Sequence, residues 1–550
     1  MSASSTQSRR VNGKVRDETP TPPDLEVVSD AAPRLRTMDE LCRERDLVRA
    51  HVLRGGPTKV EAQHAKGKLT ARERIALLLD DGTFFETDML RQHRGAGQMS
   101  GSTERPHTDG VVTGSGEIHG RRVFVYAQDF TILGGSLGES HAAKVQKTID
   151  MAMRCGAPII SLQDSGGARI QEGVHSLNGY GGIFKRTVDA SGVIPQISVI
   201  LGPCAGGAAY TPALTDFVFM VRDVSYMYLT GPDVVAAVNG HTVTHDELGG
   251  PSLHSEISGL ASFVYDDESD CLNDVRYLVS LLPSNCLNGP PDESSCGASE
   301  DIRPALRDLV PVESHVVYDM TDVAVELLDG GDLLEVHEHW APNVVCGIGR
   351  IDGAVVGVVA NQPQHLAGAL DADGAQKASR FVRFCDAFNI PLVTLVDVPG
   401  FLPGLDQEGM GAIRHGAKLL YAYCEATVPR IQVIVRKAYG GAFIVMDSRS
   451  IGSDLSLAWP TTEVGVMGAT AAVNVLHRRE LAEASHPSGM RNELEERYRA
   501  LSTPYVQAQE GFVDDVIDPA ETRSAVARGL AMLRSKSVDA PARKHGNLPL

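Results

Sequence analysis

The pattern of apolar and polar residues along the chain changes between two periods. Short runs of apolar and β-branched residues, typical of strands, are followed by segments in which apolar residues recur every three or four positions, typical of helices. This alternation predicts an α/β layered core with parallel strand pairing. The predicted strands are 158–162, 195–201, 391–395 and 429–435, with strand pairs at 111–125 and 344–359, and the predicted helices are 143–155, 181–190, 377–388 and 416–425.

The predicted elements occur twice in the same order. Lys144 and Lys377 lie 233 residues apart, as do Asp164 and Asp397, and after a one-residue slip Gly206-Gly207 matches Gly440-Gly441 at a spacing of 234. This period is too long for a solenoid, whose repeats are about 20–50 residues, so it indicates a tandem duplication. The expected organisation is a disordered tail at 1–36, an N-terminal domain at 37–290, an exposed linker at 291–312 and a C-terminal domain at 313–550.

The charge balance of the chain narrows the classes of partner. Among 550 residues, 70 Asp and Glu outnumber 51 Lys and Arg, which gives a formal net charge of -19. Nucleic acids and anionic membranes both require a basic face, so neither is expected as the main partner. No apolar run approaches the roughly 18–20 residues of a membrane-spanning helix, and the first residues contain no apolar signal core. We therefore expect a cytoplasmic protein.

The cysteines do not indicate a metal site or a disulfide framework. There are nine, they are scattered, and no Cys-x-x-Cys occurs; no other cluster has metal-ligand spacing. We expect no metal and mostly buried cysteines in a reducing compartment. Cys204, beside Gly206-Gly207, could act as a nucleophile, but no partner base is identifiable, and a small buried residue is the favoured interpretation.

Two glycine turns in each predicted domain follow buried strands. Backbone without Cβ atoms can approach a ligand closely, and its N–H groups can stabilise an oxyanion that develops in a transition state. The alternative is that these glycines only permit tight packing, which a duplication would also preserve. The best candidates for oxyanion donors are Gly206, Gly207, Gly441 and Ala442.

Long stretches of the chain also resemble a known family. The sequence is similar to the carboxyltransferase (beta) subunits of biotin-dependent acyl-CoA carboxylases of the propionyl-CoA or acetyl-CoA type. The resemblance runs from about residue 35 to the end of the chain. Its strongest stretches are KGKLTARER at 66–74, DSGGARIQEG at 164–173, GPCAGG at 202–207, KASRFVRFCDAFNIPLVTLVDVPGFLPG at 377–404, HGAKLLYAY at 415–423 and RKHGNLPL at 543–550.

The resemblance implies a fold, an assembly and a reaction. The fold is two homologous crotonase-like domains, each a ββα spiral, in tandem. The assembly is a ring-shaped homo-hexamer, a trimer of dimers, with each site formed by the N-domain of one chain and the C-domain of another. The reaction transfers a carboxyl group from carboxybiotin to the α-carbon of acetyl-CoA or propionyl-CoA, giving malonyl-CoA or methylmalonyl-CoA. The biotin nitrogen itself can take the α-proton, so no side-chain base is required.

The same resemblance assigns roles to residues. Gly206 and Gly207 would hold the thioester oxyanion, and Gly441 and Ala442 the ureido oxygen of biotin. Substrate would also contact Gly166, Gly167, Ala168 and Ile444. Since an aliphatic residue at the last of these positions accompanies broader acyl acceptance in the family, we expect acetyl- and propionyl-CoA to be accepted.

Several alternatives stay open at the level of the sequence. Within the superfamily they are a transcarboxylase subunit, a methylcrotonyl-type carboxylase subunit, and the carboxyltransferase of a decarboxylase coupled to an ion pump. Outside it they are a hydrolase or isomerase that uses the same amides without biotin, or a catalytically idle scaffold. The chain has no Ala-Met-Lys-Met or Val-Met-Lys-Met biotin-accepting motif. Biotin would therefore arrive on a biotin carboxylase and carrier (alpha) subunit.

Overall fold

The computed structural model describes residues 36–93, 105–539 and 541–549, so the predicted tail lies outside the described residues except for its last position. The chain divides into two compact units, Met1–Leu53 and Arg54–Leu550. In the first unit the described residues are mainly those of helix α1 (Met38–Arg54), none of whose side chains is buried. Both sheets found among the described residues belong to the second unit.

The first domain is built on an eight-stranded mixed sheet. Its strands are β1 (Phe85–Thr87), β2 (Val111–Ile118), β3 (Arg121–Gln128), β4 (Ile159–Ser165), β5 (Gln196–Ala205), β6 (Phe217–Val221), β7 (Tyr226–Tyr228) and β8 (Phe263–Tyr265). They pair in the order β1-β2-β3-β4-β5-β6-β8, and β7 pairs with β5. β1 and β3 each pair antiparallel with β2, and all later pairs are parallel.

The second domain repeats this sheet strand for strand. Its strands are β9 (Leu333–Glu335), β10 (Val344–Ile351), β11 (Ala354–Asn361), β12 (Leu392–Val398), β13 (Arg430–Tyr439), β14 (Leu455–Ala458), β15 (Glu463–Gly465) and β16 (Asp515–Val516). They pair in the order β9-β10-β11-β12-β13-β14-β16, and β15 pairs with β13. The predicted duplication and the predicted α/β class with parallel pairing are both confirmed.

Helices connect the parallel strands and cover the sheets. They are α2 (Pro57–His64), α3 (Ala71–Leu78), α4 (Glu139–Cys155), α5 (Val174–Ala190), α6 (Gly207–Ala213), α7 (Pro232–Asn239), α8 (His245–Gly249), α9 (Glu268–Leu281), α10 (Leu306–Leu309), α11 (Met320–Leu327), α12 (Ala372–Ala387), α13 (Leu405–Met410), α14 (Ala412–Glu425), α15 (Gly440–Val445), α16 (Ala469–Leu476), α17 (Arg478–Glu483), α18 (Pro487–Leu501), α19 (Pro504–Gln509) and α20 (Thr522–Leu533). All four predicted helices begin four to seven residues too late, at 143, 181, 377 and 416. The first turns of α4 and α12 contain few of the apolar residues that mark helical periodicity.

The two domains share one apolar core. The ring centroids of Phe217 on β6 and Phe384 on α12 lie 4.6 Å apart in an edge-to-face contact, an arrangement that aromatic rings favour. The second domain also has a core of its own, in which Trp459 is buried and its indole N–H donates to Thr522 Oγ1 at 2.9 Å.

The segment predicted as an exposed linker is not exposed throughout. Ala298 and Leu306 are fully buried and complete the core of the second domain. Val310 is also buried in this core. The Pro, Ser and Gly content of the segment does not reveal that three isolated apolar side chains pack inside.

Candidate active site

The two glycine turns of each domain lie at the same edge of its sheet. β4 and β5 are adjacent parallel strands, and their pairing continues to Ser165 and Cys204, immediately before the turns. β12 and β13 are paired in the same way as far as Val398 and Ala438. In open α/β sheets, ligands bind outside the carboxyl ends of the strands, so both domains present their turns where a ligand is expected.

The turn after β4 leaves the backbone N–H of Ala168 directed outwards. Leu137 donates its N–H to the Gly167 carbonyl at 2.9 Å and accepts from the N–H of Arg169 at 2.9 Å. In such a parallel bridge the residue between the two bonded positions, here Ala168, directs its own N–H away from the partner strand. Leu370 and Phe401 form the same bridge in the second domain.

The turn after β5 uses one of its two glycine amides internally. Gly206 has a φ of 64°, a conformation that strongly favours glycine, and its N–H donates to the Tyr228 carbonyl at 3.0 Å. Helix α6 begins at the next residue, Gly207. Because the first N–H groups of a helix have no intrahelical acceptor, the Gly207 N–H is available to a ligand. Of the two predicted donors, the backbone of Gly206 shapes the turn and that of Gly207 can donate.

The corresponding turn of the second domain has the same conformation. Gly440 also has a φ of 64°, and Gly441 and Ala442 follow it in the first turn of α15. A Cβ added to Gly441 would have no heavy atom within 4 Å. Tight packing therefore does not explain this glycine, whereas close approach by a ligand does. Ile444, two positions beyond Ala442, is 43% exposed.

The structure thus brings the predicted site residues together in two sets. The first set consists of Gly166, Gly167 and Ala168, which lie beside the turn after β5. A Cβ on Gly167 would come within 2.9 Å of the Ala205 carbonyl oxygen. The second set consists of Gly441, Ala442 and Ile444 on α15. The two sets belong to different domains of the chain.

A buried ion pair behind each turn was not predicted. Asp164, near the end of β4, accepts from Lys68 Nζ at 2.8 Å and from Arg74 at 2.9 Å. Asp397, near the end of β12, accepts from Arg436 at 3.0 Å and from the Tyr318 hydroxyl at 3.0 Å. The one signal in the sequence was the 233-residue match of the two aspartates, which does not indicate their partners.

Cys204, the possible nucleophile of the sequence analysis, lies in an environment typical of a structural residue. Cys204 is buried, and burial raises the pKa of its thiol to about 12, so it lacks the thiolate character that a nucleophile needs. Among the described residues, no group of His, Cys, Asp and Glu side chains could hold a metal ion. Within the same residues, none of the helices is both long enough and apolar enough to span a membrane.

Comparisons with known proteins agree with this geometry. Residues 62–548 match the carboxyl transferase domain family. The carboxyltransferase subunit of propionyl-CoA carboxylase from Haloferax mediterranei is 54% identical over 94% of this chain and 100% of its own length. The alpha subunit of methylmalonyl-CoA decarboxylase from Propionigenium modestum is 49% identical over 90% of this chain and 96% of its own length.

A solved structure has the same fold. The crystal structure of transcarboxylase 12S, a hexamer with methylmalonyl-coenzyme A bound, superposes with a TM-score of 0.91 at 47% identity and covers 94% of this chain and 100% of that chain. With the matched sheets and amide turns, these similarities show that the chain belongs to the carboxyl transferase domain family and is a carboxyltransferase built from two tandem crotonase-like domains.

Proposed function

We propose that this chain transfers a carboxyl group from carboxybiotin, carried by a partner subunit, to the α-carbon of a short-chain acyl-CoA. Acetyl-CoA and propionyl-CoA are the proposed substrates, and malonyl-CoA and methylmalonyl-CoA the products. The observation that supports this most directly is the repetition of the same amide turn in both domains, at Gly207 and at Gly441. A reaction with two oxyanions needs two such sites.

The first domain is suited to the acyl thioester. Removal of a proton from the α-carbon gives an enolate, whose negative charge lies on the thioester oxygen. The N–H groups of Gly207 and Ala168 would stabilise this charge, and Gly166 and Gly167 would line the approach to it. Preorganised amides of this kind act on charge that appears only in the transition state, so they accelerate the reaction more than they tighten substrate binding.

The second domain is suited to the ureido group of biotin. No heavy atom lies within 4 Å of a Cβ built on Gly441, which leaves space for close approach by a ligand. The N–H groups of Gly441 and Ala442 would hold the ureido oxygen. When bound there, carboxybiotin supplies the carboxyl group and a nitrogen that can accept the α-proton. The protein then contributes positioning and oriented amides. The raised pKa of the buried Cys204 thiol, beside the turn of the first domain, agrees with a reaction that uses no cysteine nucleophile.

Surface chemistry near both turns favours assembly with other chains. Ile170, at the turn after β4, is 83% exposed, and Val174 at the start of α5 is 70% exposed. In the second domain Leu405 on α13 is 91% exposed and Ile413 on α14 is 78% exposed. Clustered exposed apolar residues mark interaction sites. These residues support contact with other chains. The assembly that we propose is a homo-hexamer, a trimer of dimers, in which the turns of two chains meet, with a biotin-carrying alpha subunit as its partner and the cytoplasm as its location.

The test is carboxylation by the assembled enzyme. The chain is purified with its cognate biotinylated subunit and supplied with ATP, bicarbonate and a panel of acetyl-, propionyl-, butyryl- and methylcrotonyl-CoA. We expect acid-stable incorporation of bicarbonate into acetyl- or propionyl-CoA. No incorporation into any of the four, with a biotinylated subunit shown to be carboxylated, would overturn the proposal.

The second candidate function is the reverse reaction, biotin-dependent decarboxylation of methylmalonyl-CoA. A methylmalonyl-CoA decarboxylase alpha subunit is 49% identical to this chain, close to the 54% of a propionyl-CoA carboxylase subunit. Both reactions can use the same pair of amide turns, because each passes through the same thioester enolate. Biotin-dependent decarboxylation of methylmalonyl-CoA without ATP, combined with no ATP-dependent carboxylation by the full complex, would favour this candidate.

A further inference from the structure

Asp164 and Asp397 are the matched acidic residues of the two domains. Each is the second-last residue of the central strand that leads into a glycine turn, β4 or β12, and each is 0% exposed. A buried carboxylate is costly unless it is paired and hydrogen-bonded, so its presence in both copies calls for a physical reason.

The Lys and Arg side chains that pair with the two aspartates come from non-equivalent parts of the chain. Arg436 and Lys437 lie on β13, beside Asp397. With the 234-residue offset of this part of the repeat, their counterparts in the first domain are Gly202 and Pro203, which carry no charge.

In the first domain the missing cation is replaced from elsewhere. A Cβ on Gly202 would come within 1.9 Å of Asp164 Oδ1 and 2.7 Å of Lys68 Nζ. The ammonium group of Lys68, which comes from the segment before α3, thus occupies the place that a β5 side chain takes in the other domain. The carboxylate is common to both copies, whereas the source of its cations is not.

Each aspartate is also part of the support of its turn. Gly135 packs so closely on β4 that a Cβ there would be 2.2 Å from the Asp164 carbonyl oxygen, and at the matched Gly368 a Cβ would be 2.5 Å from the Asp397 carbonyl oxygen. Ser165 Oγ donates to the Gly135 carbonyl at 2.8 Å and accepts from the Gly167 N–H at 3.1 Å. The strand end at Asp164 therefore fixes both loops that orient the Ala168 N–H.

We propose that Asp164 and Asp397 are positioning residues, each of which fixes the strand end from which its own domain's amide donors project towards the reacting oxyanion. This inference rests on the proposed carboxyltransfer between biotin and acyl-CoA. Neither carboxylate touches substrate; each acts through the turn that follows it.

Substitution of each aspartate by asparagine removes the negative charge and changes the shape of the side chain little. Both oxygens of Asp164 accept hydrogen bonds, from Lys68 and Arg74, and both oxygens of Asp397 accept, from the Lys437 N–H and from Arg436. An amide would turn one acceptor into a donor that faces another donor, and the strand end would shift. Since a displacement of about 1 Å can cost 10²-fold in rate, we expect Asp164→Asn and Asp397→Asn each to lower kcat at least tenfold.

The experiment measures kcat and KM of the holoenzyme for acyl-CoA and for the biotinylated carrier, with thermal melts in parallel. Glu268→Gln is the matched control, because Glu268 is also buried and also pairs with Arg74, but it contacts neither turn. A positioning role predicts a loss of kcat with KM for acyl-CoA within about threefold in Asp164→Asn, and near-normal kcat in Glu268→Gln despite a similar fall in melting temperature.

The outcomes separate this inference from the proposed function. A wild-type enzyme that carboxylates no acyl-CoA contradicts the function itself. An active wild type with an equally active Asp164→Asn, or a Glu268→Gln that loses as much kcat, overturns the positioning role. If an asparagine variant fails to assemble, Tyr318→Phe decides for the second domain. It removes one hydrogen bond to Asp397 and no charge, and unchanged kcat in that variant counts against the inference.

Discussion

The backbone N–H of Gly206 donates to the carbonyl oxygen of Tyr228 at 3.0 Å. This bond extends the pairing of β5 with β7 by one residue and uses the amide that the sequence pattern favours as an oxyanion donor. The next amide, that of Gly207, begins helix α6 and is available. We therefore expect the thioester oxyanion to be held by Gly207 and Ala168.

Proline at position 207 tests this assignment. Proline is well tolerated at the first position of a helix, and it removes the N–H. We expect Gly207→Pro to lower kcat about 10²–10³-fold, the usual cost of losing one oxyanion donor, measured as acyl-CoA carboxylation by the holoenzyme.

Gly207→Ala is the matched control, because it adds a Cβ near the Tyr180 ring, 3.1 Å away, and keeps the N–H. Equal losses in the two variants would show that crowding of Tyr180, rather than the missing donor, causes the effect.

The same pair of substitutions examines the biotin side. Gly441 follows the turn residue Gly440 and has open space at its Cβ position, so Gly441→Ala should keep activity within a few-fold. Gly441→Pro removes the donor and should lower kcat by about 10²-fold or more. The assay is methylmalonyl-CoA decarboxylation with free biotin as acceptor, and an active proline variant would remove Gly441 from the site.

Ile444 is placed to influence the choice of acyl group. Its side chain is 43% exposed on α15, two residues from Ala442. We expect Ile444→Asp to narrow acceptance towards propionyl-CoA, changing the ratio of kcat/KM for propionyl- and acetyl-CoA about tenfold, since one methylene is discriminated by about 1–3 kcal/mol. Ile444→Val is the control with conserved polarity. An unchanged ratio in the aspartate variant would show that Ile444 only packs.

We expect Asp447 to make the stability of the protein depend on pH. Its carboxyl group is fully buried and accepts a hydrogen bond from Arg430 at 2.9 Å. The backbone of Asp447 has a φ of 58°. Burial raises the pKa of Asp447 to about 7, although Arg430 opposes this. Because the folded pKa exceeds the unfolded value of about 3.9, the stabilising contribution is fully present below pH of about 4 and is lost as pH rises through about 7.

Asp447→Asn should remove this dependence. Between pH 5 and pH 8 the melting temperature of the variant should rise relative to wild type, by roughly 2–4 °C for each kcal/mol lost by the wild type. Melts at four pH values measure the difference, and a constant offset across the range would show that Asp447 does not titrate there.

The parts of the fold that the sequence predicts are those encoded over short distances. The period of the apolar residues in β4 and α4 identifies a strand and a helix, and the 233-residue spacing of Asp164 and Asp397 identifies two copies of one domain. Short strands such as β7 are not recognisable in this way, because their three residues form a strand only by pairing with β5.

The sequence by itself determined that this protein has two α/β domains with glycine turns after matched strands, since both features depend on residue order along the chain. Only the tertiary structure decided which amide is free and which cation meets each buried aspartate. The N–H of Gly206 is hydrogen-bonded to the carbonyl of Tyr228, 22 positions away, and Asp164 is paired with Lys68, 96 positions away. Such partners are chosen by which surfaces become neighbours on folding, and no local pattern specifies that choice.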